Sequence, residues 1–285
     1  MLWQTTHHRI DLSVPKVMGI VNTTPDSFSD GGQFASLSEA IDHCRRLIGE
    51  GADILDIGGE SSRPGAEVVS LDEERRRVLP VLEAVLAMGH PVSIDTTKPA
   101  LMAEALALGV DIVNDICALQ APGALAVVAG HPSCGVCLMH MQGAPPSMQL
   151  HPGYADVVAE VRSMLEGRVE ALTARGVAAD RVVLDPGIGF GKTVEHNVAL
   201  LRRQRELLVL GCPLLVGWSR KSTLGALTGR AVGDRLAAGL AAALASVAHG
   251  ASIVRVHDVA ATVDALKVWR AAGLPITPAN LNELQ

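Results

Sequence analysis

Short apolar runs and longer amphipathic stretches alternate along this chain. The runs are Val17–Val21, Ile54–Ile57, Val92–Ile94, Ile112–Val113, Val136–Met139, Val182–Leu184, Leu214–Val216 and Ile253–Val256. Each is too short for a helix and rich in β-branched residues or leucine, so each predicts a strand. Between them the apolar spacing turns helical. Ser38–Ile48 sets Ala40, Ile41, Cys44, Leu47 and Ile48 on one face and Glu39, Asp42 and Arg45 on another. Leu71–Met88, Pro99–Leu108, Asp156–Arg175, His196–Val209 and Ala260–Ala272 read similarly, and Ala121–Ala129 predicts a shorter helix. Pro99 suits a first helical turn and Gly109 a helix end.

Strand then helix, repeated with no domain-sized linker, predicts an α/β chain folded as a single (β/α)8 TIM barrel. An open doubly wound sheet usually carries a Gly-rich dinucleotide turn after its first strand, and this chain has none. Residues 1–15 are read as an N-terminal extension covering the bottom of the barrel, and 16–285 as the catalytic barrel.

Composition narrows the picture. Hydrophobic residues make up 48% of the 285 and charged residues 19%, which allows a large core. Aromatics are only 2%, so that core is aliphatic, as buried parallel strands require. The net charge of -6 argues against nucleic acid or an anionic membrane as main partner, but not against an anionic small substrate. No apolar run reaches membrane-spanning length, and Met1–Pro15 lacks the apolar stretch of a signal peptide. The five cysteines follow no secreted-scaffold pattern, so reduced thiols in a cytoplasmic protein are the expectation. Cys134 and Cys137 form a lone CxxC, weak evidence for redox or metal chemistry.

The predicted strands end in unusual polar residues. Strand one ends at Asn22, two at Asp56 and Glu60, three at Asp95, and four at Asn114 and Asp115. Five ends at His140, six at Asp185, seven at Ser219, Arg220 and Lys221, and eight at Arg255 and His257. In a barrel these ends share one rim, where active sites sit. Asn, Asp and Gly also punctuate strand ends as turn formers, but that does not account for Lys, Arg and His there. Asp95, Asn114, Asp185 and Lys221 offer donors and acceptors for the edge of a polar heterocycle. Arg63, Arg255 and His257, with Asn22, suit a pyrophosphate and a divalent metal. Asp56 is read equally as a satisfied core partner or as part of the site. Gly187–Thr193 looks like a phosphate loop, but the Walker pattern needs glycine where Pro186 stands, so no ATPase is read from it.

In order along the chain, several blocks resemble the dihydropteroate synthase family. They are Met18–Gly32, Asp56–Gly65, Ser93–Thr96, Asn114–Asp115, Met139–Gly143, Asp185–Lys192, Ser219–Ser222 and Arg255–Asp258. The resemblance covers the chain from Val17 onward. It implies condensation of 6-hydroxymethyl-7,8-dihydropterin pyrophosphate with p-aminobenzoate, by an SN1-like route, in folate biosynthesis. It implies Asp95, Asn114, Asp185 and Lys221 on the pterin, within a substrate pocket that also takes in Met139 and Gly217. It implies Arg63, Arg255, His257 and Asn22 on pyrophosphate and Mg²⁺, with Asn22 the metal ligand. Ser62, Pro64, Phe190, Lys221 and Ser222 would border p-aminobenzoate, and Phe28 and Asp30 would lie on a mobile loop. Asp30, Arg63, Asp95, Lys221, Arg255 and His257 are the implied catalytic residues. Sulfonamide inhibition and a homodimer are further expectations of the resemblance. The alternative is a related pterin-binding barrel that moves a methyl group from methyltetrahydrofolate; it would not need the Arg63, Arg255 and His257 set. Thr23 and Ser62 depart from the family's usual valine and threonine.

Overall fold

The computed structural model describes residues 1–23, 32–63 and 65–274, with backbone alone over 32–36. Phe28, Asp30 and Pro64 therefore lie outside the described residues. Ten strands are assigned among those described. β1 (Leu2–Gln4) and β2 (Arg9–Asp11) pair antiparallel as a hairpin. The other eight are β3 (Lys16–Asn22), β4 (Ile54–Gly58), β5 (Val92–Asp95), β6 (Ile112–Asp115), β7 (Gly135–Met139), β8 (Val182–Asp185), β9 (Leu214–Val216) and β10 (Ala251–Val256). They pair in parallel and in sequence order, and β10 returns to β3 to close the barrel. All eight contain the apolar runs that predicted them.

The helices α1 (Gly32–Gly49), α2 (Leu71–Leu86), α3 (Pro99–Leu108), α4 (Ala124–Gly130), α5 (Val157–Thr173), α6 (Val194–Arg202), α7 (Ser222–Thr228), α8 (Leu236–Ala248) and α9 (Val259–Ala271) connect and surround the strands. Their starts are well specified. Ser70 accepts the amide of Glu73 at α2, and Asp156 accepts those of Val158 and Ala159 at α5. Thr193 and His196 bond reciprocally at α6, satisfying two amides that a helix start would otherwise leave unpaired. Pro99 opens α3, and Gly109 closes it at φ +101, a left-handed conformation that favours glycine. No described helix is long and apolar enough to cross a membrane.

The hairpin of β1 and β2 plugs the bottom of the barrel. Trp3, Ile10 and Leu12 pack with Met18, Ile54, Ile112, Cys137, Val183, Leu215 and Ile253 in one buried cluster. Trp3 is wholly buried, and its indole donates to the Arg181 carbonyl at 2.9 Å. Truncating a buried tryptophan typically costs about 3–5 kcal/mol. Trp3→Ala is thus expected to lower the unfolding temperature by several degrees without moving either substrate's KM, because the plug lies at the end opposite the rim. Denaturation curves and steady-state kinetics on one preparation check both halves.

The cysteines support no redox pair. All five thiols are free. Cys137 belongs to the floor cluster, whereas Cys134 packs in the outer core and receives an Arg181 N–H at 3.2 Å.

Candidate active site

Residues paired across parallel strands face the same way, and the floor cluster fixes which way is inward. Met18 and Ile54 pair on the floor, and two residues up Ile20 pairs with Asp56. Asp56 pairs with Ser93, and Gly58 with Asp95. Asp95 pairs with Asn114, Asn114 with Cys137, and Met139 with Asp185. Arg255 pairs with Met18. Asp56, Asp95, Asn114, Met139, Asp185 and Arg255 therefore all project into the barrel above its floor. The alternation that buries the aliphatic floor also delivers the polar residues to the mouth.

Arg255 sits at the centre. Its Nε donates to Asp56 Oδ2 at 2.6 Å and its Nη2 to Asp95 Oδ2 at 2.7 Å. Asn114 Nδ2 donates to the same Asp56 oxygen at 3.1 Å. The sequence assigned Arg255 to an anion-binding set and Asp95 and Asn114 to a pterin-binding set. The structure joins the two sets through ion pairs. Asp56 is the link: at 0% exposure it holds one residue from each set. Its Oδ1 is buried without a hydrogen-bond partner, so Asp56 belongs to the polar centre and is not a fully satisfied core carboxylate. Arg255 Nη1 makes no hydrogen bond to the described residues, so one edge of the guanidinium stays available for an anion.

Burial pushes the Asp95 carboxyl up to about 7, against the pull of Arg255. Burial also raises Asp185, while the Gly187 amide, which donates to Asp185 Oδ1 at 2.7 Å, pulls it back. Lys221 is pushed down to about 8 by burial, opposed first by Asp185. Its ammonium lies 4.1 Å from the centre of the Phe190 ring, a cation–π contact. Phe190 packs with Met139 and Met148, and Ile116 and Met141 lie against them, giving the mouth one apolar wall. Gly217 follows β9 beside Arg255; a Cβ there would come 3.9 Å from that of Arg255. Ser222 opens α7 directly after Lys221.

His257 lies just past β10. Its Nδ1 is 3.0 Å from Ser219 Oγ, and its backbone N–H donates to the same oxygen. Burial depresses its pKa to about 3, and Arg220, Arg255 and Arg63 add to the fall. The imidazole is therefore neutral at neutral pH. The effect of Arg63, an exposed residue on the loop after β4, places its charge in reach of the same region. Ser62 is half-buried beside it.

Asn22 ends β3, the strand next to β10. Its side chain has no partner among the described residues. No group of three or more His, Cys, Asp or Glu that could hold a metal occurs among those residues. The donor set fits a hard cation that takes one amide oxygen from the protein and its remaining ligands from phosphate and water.

The phosphate-loop look-alike has a structural explanation. Lys192 is buried, with Nζ 2.9 Å from His140 Nδ1, 3.0 Å from the Gly187 and Phe190 carbonyls and 3.3 Å from the His140 carbonyl. These bonds tie the loop after β7 to the loop after β8. A Cβ at Gly187 would fall 1.9 Å from the His140 carbonyl oxygen, so this approach needs glycine. The sequence showed the lysine but not its target. Thr23 has a local role too: its hydroxyl and amide both bond the Gly58 carbonyl, at 3.1 and 2.9 Å, joining the ends of β3 and β4.

A closed barrel with buried acids, amides and bases converging on an apolar-walled mouth defines an enzyme of the TIM-barrel class. The family model for pterin binding enzymes matches residues 18–257. Dihydropteroate synthase from Neisseria meningitidis serogroup B is 54% identical over 279 residues, covering 96% of this chain and 98% of the relative. The solved structure of dihydropteroate synthase from Xanthomonas albilineans with 4-aminobenzoic acid is 48% identical, with a TM-score of 0.90 over 96% of this chain and 99% of that one. The Burkholderia cenocepacia enzyme complexed with 7,8-dihydropteroate is 47% identical, with a TM-score of 0.86 over 95% and 96% of the two chains. The chain belongs to the pterin-binding enzymes and, among them, to the dihydropteroate synthases. It is thus a transferase, and the methyl-transfer alternative is set aside.

Proposed function

We propose that the chain condenses 6-hydroxymethyl-7,8-dihydropterin pyrophosphate with p-aminobenzoate, giving 7,8-dihydropteroate and pyrophosphate. The observation that carries this reading is the joined polar centre: pterin-type acceptors and an arginine with a free edge, linked by Asp56 and Asp95. Asp185, Asn114 and Lys221 read the pterin edge. Arg255, His257 and Arg63 receive the pyrophosphate. Ser62, Phe190, Lys221 and Ser222 border p-aminobenzoate, a ring that sulfonamides mimic.

Aniline-type nitrogen is a weak nucleophile, so the route is SN1-like. The C–O bond at the pterin methylene breaks, and its electron pair leaves with pyrophosphate. Ring nitrogen lone pairs spread the positive charge left on the methylene, and anionic Asp95 stabilises it electrostatically. The amine then forms the C–N bond and releases a proton. Mg²⁺, when bound, neutralises phosphate charge, with Asn22 as its protein ligand. The substrates are small molecules; neither a nucleic acid nor a membrane is a partner in this reading. The late helices, where Leu227, Val232 and Leu236 are exposed, suit a homodimer contact.

The test is pyrophosphate release by purified protein with both substrates and Mg²⁺. No release, or release independent of p-aminobenzoate, would remove the assignment. The pH profile adds detail. Asp95 is anionic above about 7, and Lys221 keeps its charge below about 8. kcat/KM is therefore expected to peak between these values, falling on the acid side as Asp95 protonates and on the basic side as Lys221 loses its proton. An acid limb that persists in Asp95→Asn would belong to another group.

A further inference from the structure

Behind the rim lies an ionic cluster that the proposed reaction does not use. Lys98, just before α3, places Nζ 2.5 Å from Glu60 Oε2 and 2.5 Å from Glu74 Oε2. Glu74 is wholly buried in the first turn of α2, and its Oε1 has no partner. One cation thus serves two carboxylates from opposite ends of the segment that holds Ser62 and Arg63.

The other oxygen of Glu60 accepts the amide of Val69 at 3.0 Å. This single carboxylate therefore closes the loop from 60 to 69 and also docks it. The remaining hydrogen bonds of described residues 61–69 stay within the loop: Arg63 N to Ser61 Oγ, and Ala66 N to the Arg63 carbonyl. Among the described residues, the loop's hydrogen bonding to the body runs through Glu60. The preceding residue is fixed from outside. Arg77 donates to the Gly59 carbonyl at 2.9 Å, and a Cβ at Gly59 would fall 2.6 Å from Val78 Cγ2. A firm base thus meets a loop that has one polar anchor.

We infer that Lys98, with Glu60 and Glu74, forms a clamp that positions the loop carrying Ser62 and Arg63, and so sets the productive geometry of the p-aminobenzoate and pyrophosphate subsites. This rests on the reaction proposed above. None of the three residues touches substrate; they are positioning residues. Lys98 follows Asp95 by three residues, so the clamp also holds the loop against the strand end that carries a site carboxylate.

Steady-state kinetics on Lys98→Met, Lys98→Arg and Glu60→Gln test the clamp. Lys98→Met leaves two carboxylates facing each other, so loss of activity there does not separate misfolding from a lost clamp. Glu60→Gln keeps the Lys98–Glu74 pair and serves as the second variant. A glutamine there can accept from Lys98 or from Val69, but its amide then opposes the other donor. Glu60→Gln is expected to raise the KM for p-aminobenzoate roughly tenfold while changing kcat less than threefold, as lost uniform binding does. Its calorimetric affinity for a pterin lacking pyrophosphate stays at the wild-type value. Lys98→Arg, which keeps the charge and can fork to both carboxylates, retains the wild-type KM. An unchanged KM in Glu60→Gln, or pterin affinity falling in parallel with it, overturns the clamp. Wild-type protein that releases no pyrophosphate would instead overturn the reaction, a distinct result.

Discussion

Arg255→Ala is expected to abolish turnover, to weaken both pterin and pyrophosphate binding, and to destabilise the fold. From the sequence alone Arg255 belongs to the anion site, and its loss would spare a pterin without phosphates. The ion pairs change that expectation. Alanine would strand Asp56, which is wholly buried, and Asp95, whose side chain is 17% exposed. Removing one partner of a buried ion pair typically costs about 3–5 kcal/mol, because the remaining charge stays desolvated. Asn114 would keep its bond to Asp56, but both would be free to shift. Arg255→Lys provides the contrast. It restores a positive charge without the two-pronged reach, so stability is expected to recover more than turnover. Pyrophosphate-release kinetics, calorimetry with pyrophosphate and with a phosphate-free pterin, and thermal unfolding read turnover, binding and stability in turn. Full pterin affinity in Arg255→Ala would mean the two subsites are independent after all.

Asp185→Asn carries the second large effect. The carboxylate already accepts the Gly187 amide through Oδ1, leaving its other oxygen free among the described residues. It can therefore accept from a ligand N–H while it fixes the loop after β8. Asparagine cannot do both: its amide nitrogen would oppose either Gly187 or the ligand. A lost charge-assisted hydrogen bond costs about 1.5–3 kcal/mol, roughly a ten- to hundredfold loss of pterin affinity. Burial raises the Asp185 carboxyl, so a neutral side chain is cheaper to bury there, which offsets the support lost by the Lys221 charge; only a small change in unfolding temperature is expected. Calorimetric titration with a phosphate-free pterin decides the matter; wild-type affinity in the variant would assign the pterin edge to other residues.

The strands were legible because each is a short aliphatic run between turn-forming residues. The rim was legible because polar residues recur where those runs stop. Two helices, α7 and α8, were harder to read. Leu236–Ala248 is almost uniformly alanine and leucine, so no polar face reveals a helical period. His196–Val209, expected as one helix, is α6 followed by a 3-10 turn over Gln204–Leu210. The break falls at Arg203, whose guanidinium pairs with Asp156, far away in sequence. The link through Asp56, the burial of Lys192 and the clamp at Lys98 were illegible for a related reason. Each joins residues from separate strand ends or loops, and only barrel closure brings those together.

The shared arginine also constrains how this enzyme can evolve. In the proposed reaction a single charge serves two subsites, so a substitution that altered one would damage the other. Heritable change that shifts substrate preference has little room at the barrel centre. It has more at positions whose contacts are local: Thr23, whose hydroxyl meets one carbonyl, and Ser62, half-buried on a loop with a single anchor.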